Sequence, residues 1–173
     1  MTKPTRYNLV LSVYLTAHGF TFTLFEGMLA PVDWGIVRRD GPEKNRRCLK
    51  AIAGLLGRYR PDVLILQDTS WTGARRPRRI TSLNAAIFRM AENLAVAVCA
   101  FSPDQVRAAF SSVQPFTKHA LGVAIIKHIP ALEAFLPEPR KWWDSANPRM
   151  GLFDAAALAL TFFYSIQGDE KAT

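Results

Sequence analysis

Asp154 is an acidic residue in an otherwise apolar segment, and this position needs a chemical explanation. From Met150 to Ile166 it is the only ionisable side chain apart from Tyr164, in a segment that is apolar nearly all round. A helix of this composition is expected to be buried, and a lone carboxylate inside it is costly unless it is paired, protonated or bound to a metal. Three interpretations stay open: a carboxylate paired with an arginine or a backbone group, a metal ligand, and an acid within a short membrane helix.

A run of arginines is the strongest electrostatic feature of the chain. Arg75, Arg76, Arg78 and Arg79 surround Pro77, and Trp71 lies shortly before them. Guanidinium groups are forked donors that match phosphate oxygens, and an indole ring can stack on a base or sugar. We predict that this segment contacts phosphates, with a solvated charge run as the alternative.

Composition limits the class of protein. The chain has 173 residues, 22 Lys and Arg against 14 Asp and Glu, a net charge of +8 and 49% hydrophobic residues. These proportions favour one globular domain with a core over about 7–166 and a short flexible C-terminal tail. The positive charge suits nucleic acid, an anionic membrane surface or an acidic partner.

The two cysteines indicate a reducing compartment. Cys48 and Cys99 lie far apart, and neither has a second cysteine or a histidine at the spacing of a metal site. A secreted chain of this size would more often carry a dense disulfide framework. We therefore expect reduced core thiols in a cytoplasmic protein. No cleavage site follows the first apolar stretch, so we expect no secretory signal.

The hydrophobic periodicity predicts an α/β domain with one mixed sheet. Alternating and apolar runs predict three antiparallel strands, then a helix, a strand, a helix, a strand and further helices. The predicted strands cover 7–15, 20–26, 32–39, 62–68 and 94–101, and the predicted helices begin near Pro42, Thr81, Ser102, Thr117 and Asn147. The last helix is expected to end near Ile166.

This order resembles the ribonuclease-H-like fold, and within it the RuvC-type Holliday junction resolvases. The run from Ala97 to Phe110, followed by Thr117-Lys118, is similar to that family's fifth strand, its "P-x-x-V-K" helix and its lysine-initiated helix. The run from Phe153 to Leu160 is similar to the family's final "D-A-L-A-L-A" helix. The resemblance covers nearly the whole chain. It implies a five-stranded mixed sheet flanked by helices and a protein that acts on branched DNA.

The metal-binding carboxylates of that family are largely replaced. The resemblance implies one carboxylate on the first strand, one on the fourth strand and a pair on the last helix. This chain has Tyr14 at the first of these positions and Leu66 or Gln67 at the second. On the last helix it has Asp154, without an acidic neighbour at Gly151 or Ala157. Asp68 lies two residues after Leu66, where it is either an ordinary turn residue, which we favour, or a displaced ligand. Two-metal cleavage needs several carboxylates around two cations. Asp68 and Asp154, the candidate catalytic pair, would hold one Mg²⁺ at best.

The sequence therefore predicts a RuvC-like protein that binds branched or structured DNA through Arg75, Arg76, Arg78, Arg79, Lys118 and Trp71, with weak or absent nuclease activity. One alternative is an active Mg²⁺-dependent endonuclease. The other is an interaction or dimer-scaffold module on the same fold, and a homodimer is left open. We expect no membrane partner. Trp142 and Trp143 are predicted to form a hydrophobic lid packed on the body, with a stacking platform as the alternative.

Overall fold

The chain is described by a computed structural model that covers residues 7–70 and 76–171. Trp71 and Arg75, both predicted to bind DNA, lie outside the described residues. One five-stranded sheet has the order β3-β2-β1-β4-β5. The strands are β1 (Leu9–Thr16), β2 (Gly19–Glu26), β3 (Pro31–Arg38), β4 (Val63–Gln67) and β5 (Ala97–Phe101). The first three pair antiparallel, and β4 pairs parallel with both β1 and β5.

Five α-helices and one short 3₁₀ helix cover the sheet in the described part of the chain. They are α1 (Lys44–Tyr59), α2 (Arg78–Asn93), α3 (Pro103–Ala109), α4 (Lys118–His128), the 3₁₀ helix Pro130–Phe135, and α5 (Met150–Lys171). The α/β class, the single mixed sheet and the antiparallel first three strands confirm the sequence-based prediction. The predicted order of three strands, a helix, a strand, a helix, a strand and further helices is confirmed as well.

The sheet separates two hydrophobic cores. On one face, α1 and α2 pack on an apolar surface that includes Leu11, Phe20 and Leu66. On the other face, α5 lies against Val10, Ile65 and their neighbours, with α3 and α4 packed outside it. Since side chains alternate along a strand, each strand contributes to both cores.

Helix starts follow local capping chemistry. Ser102 caps α3 with a capping box, in which its hydroxyl accepts from the Gln105 N–H and the Gln105 side chain accepts from the Ser102 N–H. Thr117 caps α4, because its hydroxyl accepts from the Ala120 N–H at 3.0 Å. Both starts agree with the sequence-based prediction, and the second one places Lys118 in the first turn of α4.

Several predicted boundaries are shifted in the structure, among them the start of β5, which lies at Ala97 and not at residue 94. Helix α1 begins at Lys44, because Glu43 before it adopts a left-handed conformation with φ 59° and does not continue into a helical turn. Helix α2 begins at Arg78, before the predicted start at Thr81, so Arg78 and Arg79 belong to its first turn. Helix α5 continues to Lys171, past Ile166 and into the predicted tail.

The predicted tryptophan lid is wrong. Trp142 is 88% exposed and Trp143 is 62% exposed, so neither ring is packed on the body. They lie in the irregular segment between the 3₁₀ helix and α5.

Most apolar residues of helix α5 are buried. Within the described residues, Met150–Asp169 is long and apolar enough to cross a membrane by length and composition, but most of its apolar part is buried inside the fold. Leu152, Phe153, Ala156 and Leu160 have no exposed surface. The core of the sheet's second face therefore accounts for the apolar run around Asp154.

Candidate nucleic-acid interface

A cavity of about 600 Å³ opens where the carboxyl ends of β1, β4 and β5 meet α5. Its apolar wall comes mainly from β5, α3 and α4. Its polar wall carries Tyr14, Gln67, Arg76, Arg107, Lys118 and Asp154. This size is in the range of ligand-binding cavities. The carboxyl edge of parallel strands is also where α/β sheets commonly place their binding sites.

The positions that the resemblance marks for metal ligands converge in this cavity. Tyr14 comes from β1, Gln67 is the last residue of β4, and Asp154 lies in the second turn of α5. The fold thus brings together the expected positions, but they hold a phenol, an amide and a single carboxylate. Of the two residues considered at the β4 position, Gln67 is the one that lines the cavity. Leu66 is fully buried in the opposite core.

Asp154 forms an ion pair with Lys118. Its Oδ2 lies 3.0 Å from Lys118 Nζ, and the Asp154 side chain is 15% exposed. Burial raises the pKa of Asp154 above 3.8, although Lys118 and Arg76 both act to lower it. Desolvation acts to lower the pKa of Lys118, but Asp154 and Tyr14 outweigh it, so that pKa is raised above 10.5. The partner of the carboxylate is a lysine, where the sequence suggested an arginine, a backbone group or a metal.

Arg76 lines the same cavity and also lies close to Tyr14. Its Nη1 donates to Gln67 Oε1 at 3.1 Å, and its guanidinium carbon lies 5.8 Å from the centre of the Tyr14 ring. Lys118 Nζ lies 5.7 Å from the centre of the same ring. Two cations therefore lie within cation–π distance of one aromatic ring, and the ring's quadrupole attracts both charges.

This set of residues does not fit a divalent metal. Mg²⁺ and Mn²⁺ select oxygen ligands, principally carboxylates. Three cationic side chains of the cavity, Arg76, Arg107 and Lys118, face one carboxylate, and Lys118 already occupies an oxygen of that carboxylate. In the described part of the chain, no group of three or more His, Cys, Asp or Glu is placed to hold a metal.

Asp68 forms a turn outside the cavity. Its Oδ1 accepts from the Ser70 N–H at 2.8 Å and from the Ser70 hydroxyl at 2.6 Å. Its N–H donates to Phe101 O at 2.8 Å, which continues the pairing with β5. By strand alternation Asp68 shares the face of Leu66, opposite Gln67, so it is not among the residues that line the cavity. The structure shows the turn chemistry that the sequence favours.

The described arginines of the basic run have three different environments. Arg76 lies in the cavity, Arg78 is exposed, and Arg79 is half-buried. Arg79 Nη2 donates to Thr16 O at 2.7 Å and to Ala17 O at 3.2 Å, and its Nη1 donates to Asn45 Oδ1 at 2.8 Å. Arg79 therefore holds the β1–β2 turn against α1. Arg76 lies in the cavity, and Arg78 is exposed to solvent.

Arg107 is a cavity residue that the sequence analysis did not select. It is exposed on α3, and its guanidinium carbon lies 5.1 Å from the centre of the Phe116 ring. A signal for it was present, because Pro103 and Val106 align with the "P-x-x-V-K" motif and place Arg107 on its basic position.

Buried hydroxyls fix α5 on the sheet and so fix Asp154. Ser12 Oγ donates to Ala155 O, and Thr21 Oγ1 donates to Gly151 O, each at 2.6 Å. The close approach depends on Gly151, where a Cβ atom would lie 3.0 Å from Thr21 Cγ2. The backbone beside Asp154 is thus tied to the two central antiparallel strands.

Comparison with solved structures shows which fold this is. Thermus thermophilus RuvC superposes with a TM-score of 0.64 at 20% identity, covering 92% of this chain and 96% of that one. The yeast mitochondrial Holliday junction resolvase Ydc2 gives 0.65 at 13% identity, covering 94% and 80%. The chain has the fold of the RuvC-type resolvases. Fowlpox virus resolvase, solved with substrate Holliday junction DNA, also matches this fold, with a TM-score of 0.55 at 16% identity over 90% and 99%.

The RuvC-type fold is recognised from structure and not from sequence profiles. A scan against protein-family models finds no match. No curated protein matches the sequence either. The superposition on solved structures confirms, at the level of the fold, the RuvC resemblance that the sequence suggested.

Proposed function

We propose that this chain binds branched DNA, such as a four-way junction, and places a backbone phosphate at the cationic cavity without efficient cleavage. The observation that carries the proposal is the pair of cations, Arg76 and Lys118, that both lie within about 6 Å of the centre of the Tyr14 ring in a cavity with the single carboxylate of Asp154. The RuvC-type fold adds support, since Thermus thermophilus RuvC and fowlpox virus resolvase have both been solved with Holliday junctions.

The exchange of acids for neutral and basic groups changes what the cavity attracts. A cavity lined by several carboxylates repels phosphate unless metal ions bridge the two. Here three cationic side chains face one carboxylate, so phosphate is attracted directly. Arg76 supplies a forked donor, and its one side-chain acceptor in the described residues is neutral Gln67. Direct contact would make DNA affinity independent of divalent metal.

Weak or absent cleavage follows from the same residues. In-line displacement needs an activated water and a stabilised leaving oxygen, which paired metals normally provide. Asp154 is half of an ion pair and Asp68 is held by Ser70, so neither carboxylate is placed to recruit two cations. The Mg²⁺-dependent endonuclease remains the alternative that the assay below would reveal.

The experiment combines binding and nicking on one substrate. A labelled four-way junction and a duplex of matched sequence would be titrated with the protein in EDTA and in Mg²⁺ or Mn²⁺, with anisotropy for binding and a denaturing gel for nicking. We expect junction binding in EDTA and little or no nicking in either metal. Arg76→Ala combined with Arg107→Ala should weaken binding about tenfold or more. The same pair should reduce the salt slope, which is the steepness with which the logarithm of DNA affinity falls with the logarithm of salt concentration. We expect a reduction of roughly two, about one for each phosphate that is no longer neutralised.

Three results would overturn the proposal. Failure of the wild type to bind the junction would remove the proposed binding itself. Junction affinity unchanged in the Arg76→Ala, Arg107→Ala variant would remove the cavity as the contact surface. Robust nicking that Asp154→Asn abolishes would show a working metal site.

We also propose that the protein acts in the cytoplasm. Both cysteines are free thiols, Cys48 is buried, and burial raises the pKa of each above 9.0. Thiols of this kind are unreactive core groups. A homodimer is compatible with this proposal, and sedimentation of the free protein would test it.

A further inference from the structure

The segment before α5 presents two tryptophans on a closed turn. The Asp144 N–H donates to Lys141 O at 3.0 Å, which places Trp142 and Trp143 at the two central positions of a four-residue turn. The Asp144 carboxylate accepts from the Lys141 N–H at 3.1 Å, and Arg140 Nε donates to Asp144 O at 2.7 Å. Three hydrogen bonds therefore fix the backbone that carries the two rings.

The rings stand in solvent in a defined arrangement. Trp142 is 88% and Trp143 62% exposed, and the ring centres are 5.3 Å apart with the planes at 87°. Lys141 Nζ lies 5.4 Å from the centre of the Trp143 ring. Single exposed apolar residues are common, but two adjacent exposed indoles on a constrained turn form an apolar tip that suits a ligand.

We propose that this tryptophan turn, residues 140–144, stacks on unpaired or splayed bases of branched DNA. The inference rests on the proposed function, since it names the part of the DNA that a second surface contacts. Indole rings stack on bases of any sequence, and Arg140 and Lys141 add positive charge for the flanking phosphates. The perpendicular rings present faces in different directions, which suits bases that diverge at a branch point and does not suit a flat apolar surface.

The position of the turn along the chain supports this occupant. The segment leads directly into α5, and Asp154 lies in the second turn of that helix. Gly151 near the start of α5 is held by Thr21 of β2. The tryptophan turn therefore precedes the end of α5 that forms the cavity, and the inference places both surfaces on one junction. Phosphate contact at the cavity and base stacking at the turn would together favour branched DNA over duplex.

The test uses a four-way junction with 2-aminopurine at the branch point. Trp142→Ala, Trp143→Ala would be compared with the wild type, with a phenylalanine pair at the same positions, and with Leu94→Ala. Leu94 is a matched control because it is an exposed apolar residue, 53% accessible, at the end of α2. Junction affinity and 2-aminopurine fluorescence would be measured at several salt concentrations, together with affinity for the matched duplex.

We expect the alanine pair to lose junction affinity about tenfold or more, the range that stacking on one or two bases implies. The salt slope should stay unchanged because no charge is removed, and duplex affinity should stay as in the wild type. The phenylalanine pair should recover most of the affinity and the fluorescence change. Leu94→Ala should match the wild type.

The contrary results separate the two proposals. Junction affinity and fluorescence unchanged in the alanine pair would overturn the stacking inference and leave the cavity proposal standing. Failure of the wild type to bind any junction would overturn both. Tryptophan-dependent sedimentation with phosphatidylserine vesicles, or tryptophan-dependent self-association, without an effect on DNA would assign the turn to a membrane or to a second copy and overturn the inference.

Discussion

The two faces of the central sheet are built from the same strands but differ in polarity. On the α1 and α2 face, the buried side chains of β1, β2 and β4 are all apolar, among them Leu11, Phe22 and Leu66. On the α5 face the same strands contribute Ser12, Tyr14 and Gln67, as well as Thr21 and Thr23. The first face supplies apolar burial, whereas the second holds a helix by hydroxyl hydrogen bonds and ends in a charged cavity.

Leu66 and Gln67 show the contrast at single-residue scale. They are neighbours on β4 with 0% and 2% exposure, yet one is in the apolar core and the other is hydrogen-bonded to Arg76. Strand alternation alone sends them to opposite faces. Stability and DNA binding should therefore be separable by substituting adjacent residues.

The largest expected effect is on the apolar face. Leu66→Ala removes a fully buried side chain and should reduce the free energy of unfolding by about 2–5 kcal/mol. Junction affinity of the folded protein should be unchanged. Gln67→Ala, measured by the same denaturant titration, is the matched variant and should lose less stability but weaken junction binding. Equal effects of the two on DNA affinity would contradict the division between faces.

A second prediction concerns the ion pair in the cavity. Lys118→Ala leaves Asp154 buried with only Arg76 to lower its pKa, and should cost roughly 1–3 kcal/mol of unfolding free energy at pH 7. Because the pKa of Asp154 in the fold is already above 3.8, its ionisation costs stability as pH rises from that value through the folded pKa. Removing Lys118 raises the folded pKa of Asp154 further, so the loss in Lys118→Ala relative to the wild type should grow with pH between the two folded pKa values.

Denaturant titrations from pH 4 to pH 8 would measure the Lys118→Ala effect. In an Asp154→Asn background, the stability loss caused by Lys118→Ala should no longer vary with pH, because the carboxyl group that titrates is removed. A Lys118→Ala variant whose stability increases with pH over this window would show that Asp154 is not destabilised by burial.

A third prediction addresses restoration of an acid on α5. Gly151→Asp places a Cβ atom 3.0 Å from Thr21 Cγ2 and 3.2 Å from Thr16 Cγ2, so the helix or those side chains must shift. We expect a loss of about 1–3 kcal/mol in unfolding free energy and no gain of Mg²⁺-dependent nicking. Gly168→Asp on the same helix is the control, since a Cβ atom there meets nothing within 4 Å. Nicking restored by the single Gly151→Asp change would refute this expectation.

The smallest effects distinguish two adjacent arginines. Arg79→Ala removes hydrogen bonds to Thr16 O, Ala17 O and Asn45 and should cost about 1 kcal/mol of stability. Arg78→Ala, at an exposed position, should leave stability unchanged and reduce the salt slope of DNA binding by about one. If Arg79→Ala instead changes the salt slope without affecting the melting temperature, its role at the β1–β2 turn is wrong.

The elements of the fold could be predicted because each leaves a local pattern. Strand alternation, the Ser102 capping box and the Thr117 cap lie within a few residues of the structures they specify. The positions at the cavity could be predicted from the resemblance to the RuvC-type resolvases, which places Tyr14 and Asp154 at two of that family's metal-ligand positions.

The contacts within the cavity could not be predicted in the same way. The Lys118 partner of Asp154 is 36 residues away in the sequence. Arg76 and Arg79 belong to one basic run, and only the three-dimensional fold sends one to Tyr14 and the other to the β1–β2 turn. The exposure of Trp142 and Trp143 could not be predicted from the sequence either, because large aromatic residues are usually buried.

The most direct test of the central claim is anomalous scattering from crystals of the protein soaked in Mn²⁺. The account predicts no Mn²⁺ peak among Tyr14, Gln67 and Asp154, with Lys118 Nζ still bonded to the Asp154 carboxylate. A Mn²⁺ ion bound to Asp154, with Lys118 displaced, would contradict the account and show that the cavity is a metal site.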